Sequence, residues 1–470
     1  MVLDKSRIQI KLPDKVKLII DTLNDAGFEA YAVGGCVRDS ILGRNPKDWD
    51  ITTSAMPNQV KKLFRRTIDT GIQHGTVTVM FADVGYEITT YRIDSEYEDM
   101  RHPKEVIFTD RLVEDLKRRD FTINAMAYSD SSGLIDEFDG LSCIESKTLK
   151  AVGNASERLS EDALRILRAL RFSAELDYEM DSELESAISE LAGNLSKISA
   201  ERIATELIKL LKSDHPDKIR RAYELGVTKV ILPEFDLCMD TLQNTKHHIY
   251  SVGEHTIHSL IEIDKFKDQF DERENKILKL TMLFHDFGKP SCRTTDENQT
   301  DHFKQHPEAS EKIAVNVMRR LKLDNDTIEN VRTLVRLHDL RPKLTDESVR
   351  RLIVMVGLSR MEMMLKVRTA DMLSQSEYLR EEKLLYIAEL EKKYREIILR
   401  KDCLSIKDLQ IKGRDLINSG IKEGPILGEI LKALLDDVLI TPSHNNYDYL
   451  LEKALQIEKD ASGCCLKWSV

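Results

Sequence analysis

Two aspartates and a pair of glycines near the start of the chain have the types and spacing of a phosphate-handling metal site. Gly34 and Gly35 precede Asp48 and Asp50. On a strand the two aspartates would lie on one face, and adjacent carboxylates repel unless a hard divalent ion lies between them. Paired glycines at the start of a helix expose backbone N–H groups to phosphate, although such a pair alone is more often only a turn.

The elements that must position these residues are strands and short helices. Runs rich in β-branched residues occur at 30–33, 76–80 and 86–90, and their alternation predicts half-buried strands. From about Ser156 the apolar residues instead recur at helical spacing. We therefore expect an α+β protein, with a mixed sheet and helices over the first 150 residues and an almost wholly α remainder.

Composition excludes several classes of protein. The 470 residues suffice for three or more domains, and the net charge of −11 leaves room only for local basic surfaces that could bind nucleic acid. No apolar run reaches the roughly 18 residues of a membrane span, and the N-terminus lacks the apolar core of a signal peptide. The seven cysteines contain no CxxC pair. We expect a cytoplasmic protein with reduced thiols and no membrane partner.

Six segments in a fixed order carry a family resemblance. They are GGCVRD (34–39), PKDWDITTSA (46–55), HGTVTVM (74–80), YEITTYR (86–92), DLKRRDFTINAMA (115–127) and EDALRILRALRF (161–172). The set resembles the class II tRNA nucleotidyltransferases, the CCA-adding enzymes, which share a superfamily with bacterial poly(A) polymerases. The resemblance implies a polymerase-β-like nucleotidyltransferase head.

The resemblance also implies roles for the matching residues. Asp48 and Asp50 would bind two Mg²⁺ ions, one activating the RNA 3′-hydroxyl and one holding the triphosphate, with Glu87 as the third carboxylate. Asp39 would orient Arg38. The nucleotide-binding residues would be Gly34, Gly35, Arg38, Arg118, Arg119, Asp120 and Asn124. The alternatives are an exposed strand glutamate at 87 and a solvated Lys-Arg run at 117–119.

A pair of charged residues could read the incoming base. Asp162 and Arg165 are three apart, so on a helix they share a face. A carboxylate accepts from the exocyclic amine of C or A, which G and U lack, and a guanidinium donates to ring acceptors. Arg168 and Arg171 continue a basic stripe that could face phosphate. The alternative is an ordinary salt bridge on a solvated helix.

The segment 94–110 is polar and lacks steady periodicity, which is typical of a mobile loop. In the family that the chain resembles, enzymes able to add the terminal A keep such a loop. Its presence favours full CCA addition, or A addition alone, over CC addition alone.

Histidines concentrate between His247 and His338, with a His-Asp pair at 285–286. This set resembles the HD superfamily of metal-dependent phosphohydrolases, and imidazole with carboxylate suits a divalent transition metal. The implied ligands are His255, His285, Asp286 and Asp371, with His306 and His338 as extra ligands of a two-metal site. The alternative is a vestigial helical module whose histidines are only hydrogen-bonded.

These observations predict four domains: a catalytic head (1–150), a helical neck with the nucleobase-selecting helix (151–240), an HD domain (241–375) and a tRNA-binding helical tail (376–470). The predicted function is addition or repair of the tRNA 3′-CCA from CTP and ATP with release of diphosphate. The alternatives are an A-adding enzyme, a poly(A) polymerase, an HD phosphohydrolase acting on RNA ends or cyclic nucleotides, and a non-catalytic tRNA-binding protein.

Overall fold

The computed structural model describes residues 5–94 and 106–465. The chain divides into two compact units, the first comprising Met1–Asp236 with Arg320–Lys322 and the second comprising Leu237–Arg319 with Leu323–Val470. In the described part of the chain, no helix combines the length and apolar character needed to cross a membrane.

A seven-stranded mixed sheet organises the first unit. The strands of this unit are β1 (Ala30–Val33), β2 (Ile51–Thr53), β3 (Thr67–Gly71), β4 (Thr76–Phe81), β5 (Val84–Thr90), β6 (Arg92–Asp94), β7 (Val106–Phe108), β8 (Met126–Ser129), β9 (Gly133–Asp136), β10 (Thr148–Leu149) and β11 (Glu179–Met180). The large sheet has the order β3-β4-β5-β2-β1-β8-β9. β2 and β5 pair in parallel, and the other neighbours pair antiparallel. The strands predicted at 30–33, 76–80 and 86–90 are β1, β4 and β5.

Helices cover the sheet and then continue alone. They are α1 (Asp14–Asp25), α2 (Gly35–Ile41), α3 (Pro57–Leu63), α4 (Leu112–Lys117), α5 (Gly140–Glu145), α6 (Ala155–Glu161), α7 (Leu164–Leu176), α8 (Ser182–Leu191), α9 (Ala200–Leu211), α10 (Ile219–Glu224), α11 (Thr228–Ile231) and α12 (Pro233–Met239). α1 is amphipathic and buries Val16, Ile19, Ile20 and Leu23. α7 packs against α9 and carries the side chains of the candidate site.

The second unit is helical apart from one small hairpin. Its remaining helices are α13 (Val252–Asp264), α14 (Glu272–Phe284), α15 (Lys289–Cys292), α16 (His306–Arg320), α17 (Asn325–Leu337), α18 (Asp346–Val356), α19 (Met361–Leu373), α20 (Arg380–Leu399), α21 (Gly413–Asn418), α22 (Pro425–Ile440) and α23 (Tyr447–Cys465), and its strands are β12 (Thr294–Thr295) and β13 (Asp301–His302). α14 is buried on all sides from Ile277 to Phe284 and packs against α13, α17 and α19. A core helix of this kind can place polar residues in a dry interior.

The α+β prediction is confirmed, with two small departures in the region predicted as almost wholly helical. β10 pairs with β11 in parallel, and β12 pairs with β13 antiparallel. The cysteines whose side chains are described, Cys36, Cys143, Cys238, Cys292 and Cys403, are free thiols. The division into four domains stays a prediction.

Candidate active sites

The glycine turn and the carboxylates meet at one edge of the large sheet. The Val33 N–H donates to the Asp50 carbonyl at 3.0 Å, and the Gly34 N–H donates to the Met126 carbonyl at 3.1 Å. β1 therefore ends where β2 and β8 begin. Because Ile51 pairs with Ile88 in the parallel β2–β5 ladder, the residues before them, Asp50 and Glu87, lie at the same level of adjacent chain segments.

The two aspartates do not lie on a strand, so the prediction of a shared strand face is wrong. β2 begins at Ile51, and Asp48 and Asp50 occupy the irregular segment before it. β1 pairs with β2 only from Ala32↔Ile51 onward, since beyond Val33 the chain turns at Gly34. The segment at 48–50 therefore has no strand to continue the ladder, and local backbone conformation positions its side chains.

Burial, together with mutual repulsion, makes the three carboxylates a candidate cation site. Partial desolvation and the charge of Asp48 raise the pKa of Asp50, while Arg119 opposes the rise. Burial, then Asp50 and Asp48, raise the pKa of Glu87. The oxygens of the three groups do not all lie within 4.8 Å of one another. The arrangement fits a divalent cation held by these carboxylates together with substrate oxygens.

The glycine turn opens onto buried guanidinium groups. Gly34 has φ +83°, and a Cβ there would lie 2.9 Å from Nη1 of Arg119. In the described residues, the buried Nε of Arg119 has no hydrogen-bond partner. Arg38 is buried, and its Nη1 donates to Oδ1 of Asn124 at 2.7 Å while its Nη2 lies 2.8 Å from Asp39. The prediction that Asp39 orients Arg38 agrees with this contact, and the donors suit a polyphosphate.

A buried carboxylate that sequence reasoning missed holds the Arg118-Arg119 pair. Asp115 is fully buried, and its Oδ1 accepts from Nε and Nη2 of Arg118 at 2.9 and 2.7 Å. Its Oδ2 lies 3.7 Å from Arg119 and accepts from the Thr52 hydroxyl at 3.1 Å. Burial alone would raise the pKa of Asp115, but the two arginines outweigh it and hold the pKa low. The helical spacing of three and four residues was the available signal.

Asp120 has a supporting position. Its Oδ2 accepts from Nε of Arg168 at 2.7 Å, and its Oδ1 accepts from Nδ2 of Asn124 at 3.2 Å and from the Phe121 N–H at 2.8 Å. Burial would raise its pKa, but Arg168 and these hydrogen bonds lower it to about 2. Asp120 thus orients Arg168 and Asn124, two of the predicted nucleotide-binding residues.

Asp162 and Arg165 do not share a helix face, so that prediction is wrong. α6 ends at Glu161 and α7 begins at Leu164. Asp162 lies between them with φ −139° and ψ 104°, and its Oδ1 accepts from the Leu164 N–H at 3.0 Å. A carboxylate that caps the start of the next helix interrupts the preceding one.

Each member of this pair has a different partner from the one its spacing indicated. Oδ2 of Asp162 accepts from Nη2 of Arg202, on α9, at 2.9 Å. Arg165 pairs with Glu161 and donates to the carbonyl of Arg158 at 2.8 Å. Arg202 was missed because it lies 40 residues from Asp162 in sequence. A buried Nη1 of Arg202 has no partner among the described residues.

The basic stripe on α7 turns inward rather than toward phosphate. Arg171 is buried and binds Glu206 at 2.6 Å and Glu175 at 2.9 Å, so its predicted phosphate-facing position is wrong. The ring of Phe172 lies under three guanidinium groups, those of Arg171 at 3.9 Å, Arg38 at 5.0 Å and Arg168 at 5.3 Å. Such cation–π contacts fix the arginines relative to one another.

The second unit gathers the predicted histidines into two adjacent groups of candidate metal ligands. His255, His285 and Asp371 form one group, and Asp286, His306 and His338 form the other, each with ligand atoms within 4.8 Å of one another. Nε2 of His255 lies 3.0 Å from Asp371 and 3.2 Å from Nε2 of His285. Nε2 of His306 lies 3.4 Å from Nε2 of His338.

Hydrogen bonds to the backbone orient three of these rings for coordination. Nδ1 of His285, His306 and His338 lies 2.7, 2.9 and 2.7 Å from the carbonyl oxygen three residues earlier. Donation from Nδ1 leaves the Nε2 lone pair free, which is the usual arrangement of a metal-bound histidine. Burial, followed by the neighbouring histidines, lowers the pKa of His338 to about 4. Facing lone pairs 3.4 Å apart fit a cation between them.

Asp286 lies between the two groups. Its Oδ2 is 3.3 Å from Nε2 of His285, and its Oδ1 is 3.3 Å from Nε2 of His306. Burial opposes ionisation, but His285 and Lys289 hold the pKa of Asp286 well below its ordinary value. Lys289, another residue that sequence reasoning missed, lies 2.7 Å from Oδ2. The Asp286 carboxylate would help to hold a divalent cation if one bound at this site.

The chain path around this site depends on the end of a helix. α14 ends at Phe284, so His285 and Asp286 lie in the turn after it. The turn brings Gly288 against the start of α16, where a Cβ would lie 2.5 Å from the carbonyl of His306. Glycine at this position lets His306 approach the His-Asp pair.

Three family models match separate parts of the chain. Residues 30–150 match the poly(A) polymerase head domain, residues 177–239 the probable RNA- and SrmB-binding site of polymerase A, and residues 300–454 the tRNA nucleotidyltransferase domain 2. The first two models lie in the first unit, apart from the last residues of the second match, and the third lies almost wholly in the second unit.

Two curated relatives share the name CCA-adding enzyme. The CCA-adding enzyme of Lactiplantibacillus plantarum is 54% identical over 200 residues, which are 43% of this chain and 49% of the relative, so this match spans about half of the relative. The CCA-adding enzyme of Ligilactobacillus salivarius is 32% identical over 455 residues, 95% of this chain and 98% of that protein.

A crystal structure of the Bacillus stearothermophilus CCA-adding enzyme in complex with CTP is 28% identical, covers 96% of this chain and 100% of its own, and superimposes with a TM-score of 0.69. The Thermotoga maritima CCA-adding enzyme complexed with tRNA has 22% identity over 96% of this chain and 99% of its own, with a TM-score of 0.56, and shows the fold alone. Because one curated relative is matched over nearly its whole length at 32% identity, this chain belongs to the family of CCA-adding enzymes.

Proposed function

We propose that the protein adds or repairs the 3′-terminal CCA of tRNA from CTP and ATP and releases diphosphate. The observation that carries the proposal is the carboxylate trio beside the Gly34 turn, in a chain of this family. Three mutually repelling carboxylates next to a guanidinium group whose Nε has no partner among the described residues have little structural purpose without a cation and a polyphosphate. RNA carrying a 3′-hydroxyl, CTP and ATP are the proposed substrates, and an enzyme of tRNA works in the cytoplasm.

The residues divide the chemistry between them. Asp48, Asp50 and Glu87 would hold Mg²⁺, which when bound supplies positive charge to the reacting phosphate oxygens. Arg38 and Arg119 would bind the triphosphate, with Gly34 leaving room for it. The 3′-oxygen attacks the α-phosphorus in line, a new P–O bond forms, and diphosphate leaves. Asp115 and Asp120 keep the arginines in place.

Base selection would depend on Asp162 and Arg165, each of which is held in place by a different partner. Arg202 and the Leu164 N–H fix the Asp162 carboxylate, and Glu161 holds Arg165. A fixed carboxylate can accept from the amine of C or A but meets a carbonyl in U or G. The incoming base would then be selected by side chains that are already fixed in position, without a template strand.

The polar segment at 94–110 supports full CCA addition, or addition of A alone, over addition of CC alone. Residues 95–105 of it lie outside those the structure describes. Addition of A alone and poly(A) synthesis use the same chemistry with a different stopping rule, and a non-catalytic tRNA-binding protein would not need the carboxylate trio.

The test uses tRNA transcripts that lack the last three, two or one nucleotides. Each is incubated with CTP, ATP or both, and the products are resolved on a gel. The proposal expects C, C and A to be added in turn, and growth solely from the CC end would identify an A-adding enzyme. Asp48→Ala should abolish incorporation, whereas the matched exposed Asp83→Ala should not.

A second function is favoured by the position of Asp286. We propose that the second unit binds two divalent transition-metal ions and hydrolyses phosphoesters, because one carboxylate faces two groups of imidazoles from both of its oxygens. Bound ions would polarise the phosphate and lower the pKa of water. Asp286 keeps a negative charge beside the site, and Lys289 keeps a positive one. Nδ1 of three histidines is bonded to the backbone, so their Nε2 atoms would face the site; these are His285, His306 and His338.

Metal analysis and a hydrolysis assay test this second function. The purified full chain should contain two transition-metal ions and release product from phosphomonoesters or 2′,3′-cyclic nucleotides. A chain with neither bound metal nor hydrolysis would restore the alternative of a vestigial module.

A further inference from the structure

The ring of Phe172, on α7, has three positive charges around it. The side chain is 5% exposed, and the guanidinium groups of Arg171, Arg38 and Arg168 lie 3.9, 5.0 and 5.3 Å from its centroid. Phe121 approaches the same ring edge-on, with the centroids 5.8 Å apart and the ring planes at 81°. Arginine is seldom buried without a specific partner, so three of them around one ring indicate a role for the ring beyond core packing.

Cation–π attraction explains how three like charges can gather around this ring. The π face carries negative charge and attracts a guanidinium within about 6 Å of the centroid, most strongly where water is excluded. Arg38 and Arg171 are 7% and 8% exposed, so their contacts with Phe172 are largely desolvated. The ring therefore stabilises the neighbouring positive charges, which an aliphatic side chain of similar size would not do.

Each of the three arginines also has a carboxylate partner. The nitrogen-to-oxygen distances are 2.8 Å for Arg38 with Asp39, 2.5 Å for Arg168 with Asp120 and 2.6 Å for Arg171 with Glu206. Each guanidinium is thus restrained by at least two contacts, one with a carboxylate and one with an aromatic face. The carboxylates differ from one arginine to the next, whereas the contact with Phe172 is common to all three.

The ring connects two segments of the predicted nucleotide site that are distant in sequence. Arg38 lies on α2, after the Gly34 turn, whereas Arg168 lies on α7 with Phe172. Asp39 and Asn124 occupy three of the five N–H groups of Arg38, so two remain for the oxygens of a polyphosphate. Because Phe172 contacts Arg38, its ring sets where these phosphate donors lie relative to α7.

Resting on the proposed binding of CTP and ATP at the first site, we propose that Phe172 is a positioning residue, which holds Arg38 and Arg168 for the nucleotide through the negative face of its ring. It acts through the arginines and not by contact with the substrate. The arginines bind the nucleotide both before and during the reaction. Loss of the attraction therefore weakens nucleotide binding and leaves the chemical step nearly unchanged.

The experiment varies the charge of the ring face while keeping the ring. Phe172 is replaced by mono-, di- and trifluorinated phenylalanine, because each fluorine withdraws electron density from the π face and changes the size of the ring little. CTP is titrated calorimetrically into each full chain with Mg²⁺ and without RNA. We expect the Kd for CTP to rise with each fluorine, by about tenfold over the series. In steady-state addition to tRNA, KM for CTP should rise in parallel while kcat stays within about twofold.

A matched control is offered by Phe81, another ring with a cation over it. Its cation is Lys15, 5.1 Å from the centroid, which is not among the predicted nucleotide-binding residues. The same fluorinated series at Phe81 should leave the Kd for CTP unchanged. Phe172→Leu keeps an apolar side chain and removes the ring, so it should raise the Kd and KM at least as much as the trifluorinated ring does.

The outcomes separate this inference from the proposed function. A wild-type chain that binds CTP, with a Kd that fluorination of Phe172 does not change, overturns the role of Phe172 and leaves the proposed function standing. A fall in kcat at constant KM would mean that Phe172 only stabilises the fold, and it also overturns the role. A wild-type chain that binds no CTP would overturn the proposed function and this inference together.

Discussion

Replacing Asp120 by Asn tests whether a buried ion pair, rather than hydrogen bonding alone, holds the nucleotide-binding arginines. The side chain is 8% exposed and pairs with Arg168, and its pKa falls from 3.8 to about 2. Each pKa unit of that difference is worth about 1.4 kcal/mol, so the charge of Asp120 contributes roughly 2 kcal/mol to the free energy of unfolding at neutral pH. Asn keeps the size and loses the charge. We therefore expect the free energy of unfolding to fall by roughly this amount at pH 7.

The assay follows urea unfolding of the first unit by fluorescence of Trp49, in a Trp468→Phe background that removes the second of the two tryptophans. A lowered pKa stabilises the fold above the unfolded value, and that stability is lost as pH falls from about 4 toward 2. The difference between wild type and Asp120→Asn should therefore shrink in this window. The matched control is Asp130→Asn, whose partner Lys17 and own side chain are 53% and 40% exposed, and it should change nothing measurable. A loss equal to that of the control would refute the reasoning.

Three further substitutions probe the two sites. Gly34→Ala should lower kcat/KM for nucleotide addition at least about tenfold, because its Cβ would lie 2.9 Å from Arg119. The control Gly43→Ala, at φ +70° with no atom within 4 Å of the added Cβ, should not lower it. Steady-state kinetics measure both variants. Arg202→Gln should increase incorporation from UTP and GTP relative to CTP and ATP, because Asp162 loses its partner. The control is Arg66→Gln. Nucleotide selectivity equal to that of the control would count against a role for Arg202. Asp286→Asn should reduce bound transition metal from two ions per chain to fewer than one, measured by elemental analysis, while the half-exposed Asp296→Asn keeps both.

Much of the head could be predicted from local patterns. The alternation at 30–33, 76–80 and 86–90 marks strands because half-buried strands require it, and the structure has β1, β4 and β5 there. The glycine pair is also predictable as a turn, because glycine allows backbone conformations that turns require. Asp48 and Asp50 were expected on a strand but precede β2, because the length of a ladder depends on where its partner strand turns away.

Contacts between distant segments set the details of the site, and no local pattern reports them. The pairing of Asp162 with Arg202 joins residues 40 apart, and that of Arg171 with Glu206 joins residues 35 apart. Spacing alone favoured an Asp162–Arg165 helix face, and helix capping by Asp162 overrides it. The histidine ligands were placed by resemblance, but the position of Asp286 between the two groups depends on how α14, α16 and α17 pack.

The most direct test of the central claim is to sequence the 3′ ends formed on a tRNA that lacks CCA, and on an unrelated RNA, after incubation with the protein, CTP, ATP and Mg²⁺. The account predicts that the tRNA gains C, C and A and then stops, while the unrelated RNA gains little. A ladder of A residues on both RNAs, or the same tRNA ends formed by Asp48→Ala as by the wild type, would contradict it.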